Sequence, residues 1–164
     1  MKTSKLFFTT AFMFIMLLSS NIQAQDFPDL NKSPMDAASY PSSYKISDKA
    51  VKVVYSRPQL KERAVSKLAP NDKVWRTGAN EAAEVIVFKP IKLGGETIAP
   101  GTYSLFTIPG DSEWTIILSS DVNMWGAYSY NEANDVARIK APVSEGEKSL
   151  EAFSIAFTDD AMYL

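Results

Sequence analysis

One stretch near the middle of the chain, WRTGANE, gathers an unusual set of functional groups. An indole, a guanidinium, a hydroxyl, an amide and a carboxylate stand close together around a glycine. On a loop, such side chains suit a hydroxyl-rich or carboxylate ligand. The alternative is structural: the indole fills the core, the glycine forms a bulge, and the arginine pairs with Glu81 or another acid. The candidate ligand residues here are Trp75, Arg76, Asn80 and Glu81.

Two further arginines are secondary candidates because they flank the same region in sequence. Arg57 precedes a proline, and Arg63 follows a few residues later. If they converge with Arg76, the three guanidinium groups form an anion site; otherwise they are solvated surface charges.

The second notable stretch, WGAYSY, contains Trp125 and Tyr128. Aromatic rings near a glycine suit a platform on which a sugar stacks, and the same rings also suit a core with polar tips. Asp121 and Asn123 precede this stretch, but calcium needs about six to eight oxygen ligands. The sequence therefore predicts a ligand surface or a core here, and no metal site.

Composition excludes much of ordinary enzyme chemistry. The chain has no His and no Cys, which rules out a Ser–His–Asp triad, a Cys–His nucleophile and the usual zinc ligands. Neither a glycine-rich phosphate loop nor a G-x-S-x-G elbow is present. Glu62, Glu81 and Glu84 are available to a glycosidase, but their spacing singles out no pair. We predict no catalytic residue and no cofactor.

The N-terminus has the pattern of a secretory signal peptide. Lys2 and Lys5 precede an apolar run, Leu6 to Leu18, and small Ala24 precedes a polar stretch. The run is shorter than the roughly 18 residues that span a bilayer. We therefore expect a signal peptide at residues 1–24, no transmembrane segment after its removal, and a location in the periplasm or at the cell surface.

The charge balance gives no reason to expect nucleic acid or an anionic membrane as a partner. Acidic residues number 19 against 17 basic ones, and two of the lysines belong to the predicted signal peptide. The mature surface is therefore mildly acidic, which disfavours polyanions.

Periodicity indicates an all-β domain. Residues 25–45 contain three prolines and several serines and are expected to form a flexible leader. Residues 46–164 show short alternating strands, a Gly94-Gly95 hairpin signal and a strand at 153–157, with a short helix as an option at 59–68. We predict a single β-sandwich, Ig-like or jelly-roll-like, of about eight to nine antiparallel strands. The apolar end at Leu164 suggests a chain cut before its last strand.

A set of segments along the chain carries a family resemblance. They are VVYSRP at 53–58, Arg63, KVWRTGANE at 73–81, Gly94-Gly95, APGTYSLF at 99–106, Ile108-Pro109, Trp114, Trp125-Gly126, Tyr130 and Arg138. These segments resemble one known family, the exported bacterial proteins catalogued as a domain of unknown function, DUF2911. The resemblance implies export and a sandwich-like fold, and it implies no established activity and no agreed catalytic residues. Glu62 and Lys67 stand where the family tends to have glycine, and Ala83 stands where it tends to have threonine.

Three functional hypotheses remain. The first is a non-catalytic binding or accessory module whose partner is a glycan, a small carboxylate or an envelope protein. The second is a hydrolase that uses Glu81 and another acid on a polar polymer such as a glycan. The third is an envelope structural or assembly protein that docks through a sheet edge.

Overall fold

The computed structural model describes residues 26–159 and 161–164. The predicted signal peptide, residues 1–24, lies outside this range. The chain divides into two units after Leu30; the described part of the first forms no helix or strand, and the second carries every element below. In the described part of the chain, no helix combines the length and apolar composition needed to cross a bilayer.

The fold is all-β and antiparallel, as predicted. Six strands form one sheet in the order β1-β2-β3-β6-β7-β8, and two separate hairpins, β4-β5 and β9-β10, form small two-stranded sheets. The only helices described are one short α-helix and one 3₁₀ turn. The elements are β1 (Met35–Tyr40), β2 (Val51–Ser56), α1 (Val65–Leu68), β3 (Ala83–Val87), β4 (Ile91–Leu93), β5 (Glu96–Ile98), β6 (Gly101–Ile108), β7 (Glu113–Ser119), the 3₁₀ turn (Glu132–Asn134), β8 (Asp135–Pro142), β9 (Ala156–Phe157) and β10 (Met162–Tyr163).

Each face of the large sheet buries its own apolar cluster, because successive side chains along a strand point to opposite sides. The first face carries the larger cluster, which includes Val53, Val85 and Leu105, and both hairpins pack side chains against it. The second face carries Phe106 and Ile117. That face is covered by loop residues between β2 and β3 and between β7 and β8, so the fold is sandwich-like with loops as part of its second side.

The β4-β5 hairpin confirms the turn prediction from Gly94 and Gly95. Their φ angles are +58° and +93°, values that residues with a Cβ rarely adopt. A Cβ on Gly94 would lie 2.4 Å from Cγ2 of Ile139 in β8. Glycine is therefore required at Gly94 both for the turn and for the close approach of the hairpin to the sheet.

Strand β1 lies inside the stretch whose proline and serine content predicted a flexible leader. Its six residues pair in full with β2, from Met35 opposite Ser56 to Tyr40 opposite Val51. Pro34 and Pro41 border the strand instead of interrupting it. Local composition missed β1 because the pairing with β2, a tertiary contact, orders it.

The strand predicted at 153–157 is mostly irregular, and only Ala156–Phe157 forms β9. The Phe153 N–H donates to the Pro58 carbonyl, and the Ile155 N–H donates to the Tyr55 hydroxyl. Loop and side-chain acceptors thus replace a continuous ladder. Strand β8, in contrast, was not predicted, because charged residues alternate along it at the edge of the sheet.

Candidate functional site

The WRTGANE stretch forms a loop inserted between two segments that both pair with β6. Trp75 exchanges two backbone hydrogen bonds with Thr107, of 2.7 and 2.9 Å. The Ala83 N–H then donates to the Arg76 carbonyl over 3.0 Å, which closes the base of the loop. Residues 77–82 therefore project from the sheet as a closed loop, here called the 77–82 loop.

This loop is held by buried contacts at its start. Thr77 is fully buried, and its hydroxyl lies 3.2 Å from that of Thr107. A Cβ on Gly78 would lie only 3.0 Å from the Ser56 carbonyl oxygen, so glycine permits this approach to β2. The loop is thus a fixed support for the residues at its tip.

The two stretches singled out in the sequence meet through their backbones. The Ala82 N–H donates to the Met124 carbonyl over 2.8 Å, and the Gly126 N–H donates to the Asn80 carbonyl over 3.0 Å. Between these bonds, Glu81 and Trp125 form an antiparallel bridge. Residues far apart in sequence are therefore neighbours.

At this junction two aromatic rings are stacked in solvent. Trp125 is 71% exposed and Tyr128 is 78% exposed, and their ring centroids lie 5.2 Å apart at an interplanar angle of 28°. A Cβ on Gly126, whose φ is +71°, would lie 2.6 Å from the Tyr128 ring, so the ring rests on the glycine. The exposed Asn80 and Glu81 stand beside the pair. These four residues, Trp125, Tyr128, Asn80 and Glu81, are here called the loop platform.

Trp75 does not belong to the loop platform. It is 7% exposed and packs edge-on against Phe153, at a centroid distance of 5.2 Å, and against Trp114, at 6.2 Å. Its position is the one that the structural alternative anticipated, a ring that fills the first-face core.

Arg57 and Arg63 are engaged in separate structural contacts. Arg57 Nε donates to the Phe153 carbonyl and its Nη2 donates to the Ser154 hydroxyl, which ties the C-terminal segment to β2. Arg63 donates to the carbonyls of its own turn, over 2.7 and 2.8 Å. Among the residues that the structure describes, the two guanidinium groups share no partner, so convergence of three arginines on one anion site is not seen there.

Arg76 differs from both. Within residues 26–159 and 161–164, its guanidinium makes no hydrogen bond and no ion pair, and its Nε is buried without a partner. Glu81 is not within ion-pair distance of it either. The arginine–carboxylate lock that the structural alternative required is therefore absent from the described residues.

A polar cluster that the sequence did not indicate as a site lies at the end of the loop between β7 and β8. The Tyr130 hydroxyl donates to the Asp135 carboxylate, at 2.8 and 2.9 Å from its two oxygens, and Arg138 donates to both partners. Burial and the hydrogen bond to Asp135 raise the pKa of Tyr130 to about 12. The ring also packs edge-on against Phe106 at 5.1 Å. In the sequence, Tyr130 and Arg138 stood out only as positions that match the family pattern.

The carboxylates in the described segments do not assemble into a metal site. No group of three or more His, Cys, Asp or Glu that could hold an ion occurs there. Glu84, near Glu81 in sequence, accepts the Asn123 N–H over 2.9 Å. Asp121 accepts the side-chain amide of Asn134.

The fold and the loop contacts define an all-β protein that presents aromatic and polar side chains on paired loops. The chain belongs to the protein family of unknown function DUF2911, whose sequence model matches residues 33–163. A search of curated proteins found no match. A search of solved structures found none either.

Proposed function

We propose that the protein is an exported, non-catalytic binding module and that its loop platform binds a hydroxyl-rich ligand such as a glycan. The observation that carries the proposal is the solvent-exposed stacking of Trp125 on Tyr128, in backbone contact with the loop of Asn80 and Glu81. Large exposed rings held in place are expected where a surface is used for binding.

The chemistry of the platform suits a sugar. A pyranose ring has apolar C–H faces, which can lie on an aromatic ring, and hydroxyl groups at its edge, which need acceptors. The Glu81 carboxylate has no partner in the described part of the chain and is free to accept such hydroxyls. Asn80 adds an amide, whose nitrogen lies 3.4 Å from the Asn31 side-chain oxygen.

The platform is also pre-organised. Two backbone hydrogen bonds join its loops, and the Tyr128 ring lies against Gly126. Binding to a surface that is already ordered loses less conformational entropy, which favours affinity.

The acid nearest to Glu81 in sequence is already engaged in a hydrogen bond. A carboxylate-pair glycosidase needs a second acid about 5 to 9.5 Å from the first, facing the same cleft. Glu84, an acid close to Glu81 in sequence, is engaged by the Asn123 backbone.

The direct test is glycan binding with matched variants. Trp125→Ala removes one ring of the platform, and Tyr44→Ala, at another exposed aromatic residue, is the control. Loss of an aromatic anchor typically removes about 2 kcal/mol, or roughly 30-fold in affinity. A glycan array followed by calorimetry should show this loss for Trp125→Ala alone. Equal binding by both variants would refute the platform as the site.

Turnover and export have their own measurements. Reducing ends should not accumulate when the protein is incubated with a bound glycan; hydrolysis by wild type that disappears in folded Glu81→Gln would contradict the non-catalytic role.

When the chain is expressed in a Gram-negative host, the mass of the protein outside the cytoplasm should correspond to a start at Gln25. Retention of residues 1–24 in the cytoplasm would argue against export.

A further inference from the structure

The chain has four arginines, and three of them have protein acceptors. Arg57 and Arg63 donate to backbone carbonyls, and Arg57 also pairs with a carboxylate at 3.1 Å. Arg138 pairs with two carboxylates and a hydroxyl. Arg76 alone has no acceptor among the described residues.

The missing acceptor matters because Arg76 is half-buried and its Nε is shielded from solvent. A buried donor without a partner destabilises a protein by about 1–3 kcal/mol, and more when the group is charged. Buried polar groups are therefore nearly always satisfied, if not by the protein then by water or a ligand.

Arg76 lies on the face of the sheet that is covered by the segment carrying Trp125 and Tyr128. Val74 packs against the apolar cluster of the second face, and alternation along the extended segment places Arg76 on that face too. Met124, the residue before Trp125, packs against the same cluster.

A guanidinium in this setting is suited to an oxyanion. Its planar donors match the geometry of a carboxylate or sulfate, and partial burial strengthens the pairing. A neutral sugar hydroxyl would satisfy the donor but leave the charge unpaired.

We infer that the ligand of the loop platform is an acidic sugar, whose carboxylate or sulfate is bound by Arg76. This inference rests on the proposed function and names the ligand class of the same site. The sugar ring stacks on Trp125 and Tyr128, and its anionic group reaches the unpaired guanidinium.

The experiment compares sugars that differ only in the acidic group. Three pairs serve as probes: glucose and glucuronate, galactose and galacturonate, mannose and mannuronate. Two NMR signals are followed in each titration, the Trp125 indole N–H and the Arg76 Nε–H. At least one uronate should shift both signals and bind at least tenfold tighter than its neutral partner. Glucose 6-sulfate and galactose 6-sulfate then distinguish a sulfate from a carboxylate as the bound group.

Charge-matched variants identify the residue responsible. Arg76→Gln should abolish the preference for the uronate, whereas Arg63→Gln, which removes the same charge from an exposed turn, should retain it. Arg76→Lys keeps the charge without the planar fork and should retain only part of the preference. The Nε–H signals of the remaining arginines show whether each variant is folded.

The possible failures are distinguishable. If neutral sugars and uronates shift the Trp125 signal equally while the Arg76 signal stays unmoved, the inference is wrong and the proposed function stands. If no sugar shifts the Trp125 signal, the proposed function fails, and the acidic-sugar inference fails with it.

Discussion

Replacing Arg76 with methionine should stabilise the unliganded protein, an unusual expectation for a half-buried arginine. Methionine keeps an apolar chain of similar length and removes every donor. The gain follows from the Nε that is buried without an acceptor. Relief of one such donor should raise the free energy of unfolding by about 1 kcal/mol.

Arg57→Met is the matched comparison, because Arg57 is also partly exposed but has partners. It loses hydrogen bonds of 2.9 Å to the Phe153 carbonyl and 2.7 Å to the Ser154 hydroxyl. These should contribute about 1 kcal/mol each. The exposed ion pair with Asp36 adds less than about 1 kcal/mol. The expected loss is therefore about 2–3 kcal/mol, opposite in sign to the change at Arg76.

Urea unfolding followed by tryptophan fluorescence measures both changes. With a slope of about 2 kcal/mol per molar urea, the midpoint should rise by about 0.5 M for Arg76→Met and fall by about 1–1.5 M for Arg57→Met. A fall of 1 M for Arg76→Met would mean that its guanidinium has stabilising partners in the protein, and the anion-site reasoning would then be refuted.

Three further predictions concern Gly94 in the β4-β5 hairpin, the buried Phe106 and the Tyr130 hydroxyl. Gly94→Ala should lower the free energy of unfolding by about 1–3 kcal/mol more than Gly95→Ala, because only at Gly94 would a Cβ clash with the sheet; equal losses would show that strain at positive φ is the whole effect. Phe106→Ala should lower the free energy of unfolding by about 3–5 kcal/mol and speed amide exchange in the loop that carries Tyr130. Unchanged exchange would contradict the role of the Phe106 ring in stabilising that loop. Absorbance titration should show an ionisation step near pH 12, and this step should be missing in Tyr130→Phe. Because the pKa is raised on folding, its contribution to stability is present below pH 10 and is lost as the pH rises through about 12. Asp135→Asn should lower that pKa, and an unchanged value would mean that Asp135 does not contribute to the shift.

Local patterns were sufficient wherever neighbouring residues decide the structure. The tight turn at Gly94-Gly95 was predictable because few other residues adopt its φ angles. The apolar alternation of β2 was predictable for a similar reason, since one face of that strand must be buried. The absence of His and Cys likewise excluded whole classes of catalysis without reference to the fold.

Pairing across the sheet decided what these patterns could not. Strand β1 exists because β2 offers it a full ladder, which no property of its own residues reveals. The same holds for the site, where the bridge between Glu81 and Trp125 joins two loops that the sequence keeps well apart. Trp75 and Trp125 are both tryptophans, but tertiary packing buries the first in the core and leaves the second exposed. Burial and hydrogen-bond partners depend on the tertiary structure. Only the tertiary structure therefore shows that Arg76, unlike Arg57 and Arg63, has a buried donor without a partner.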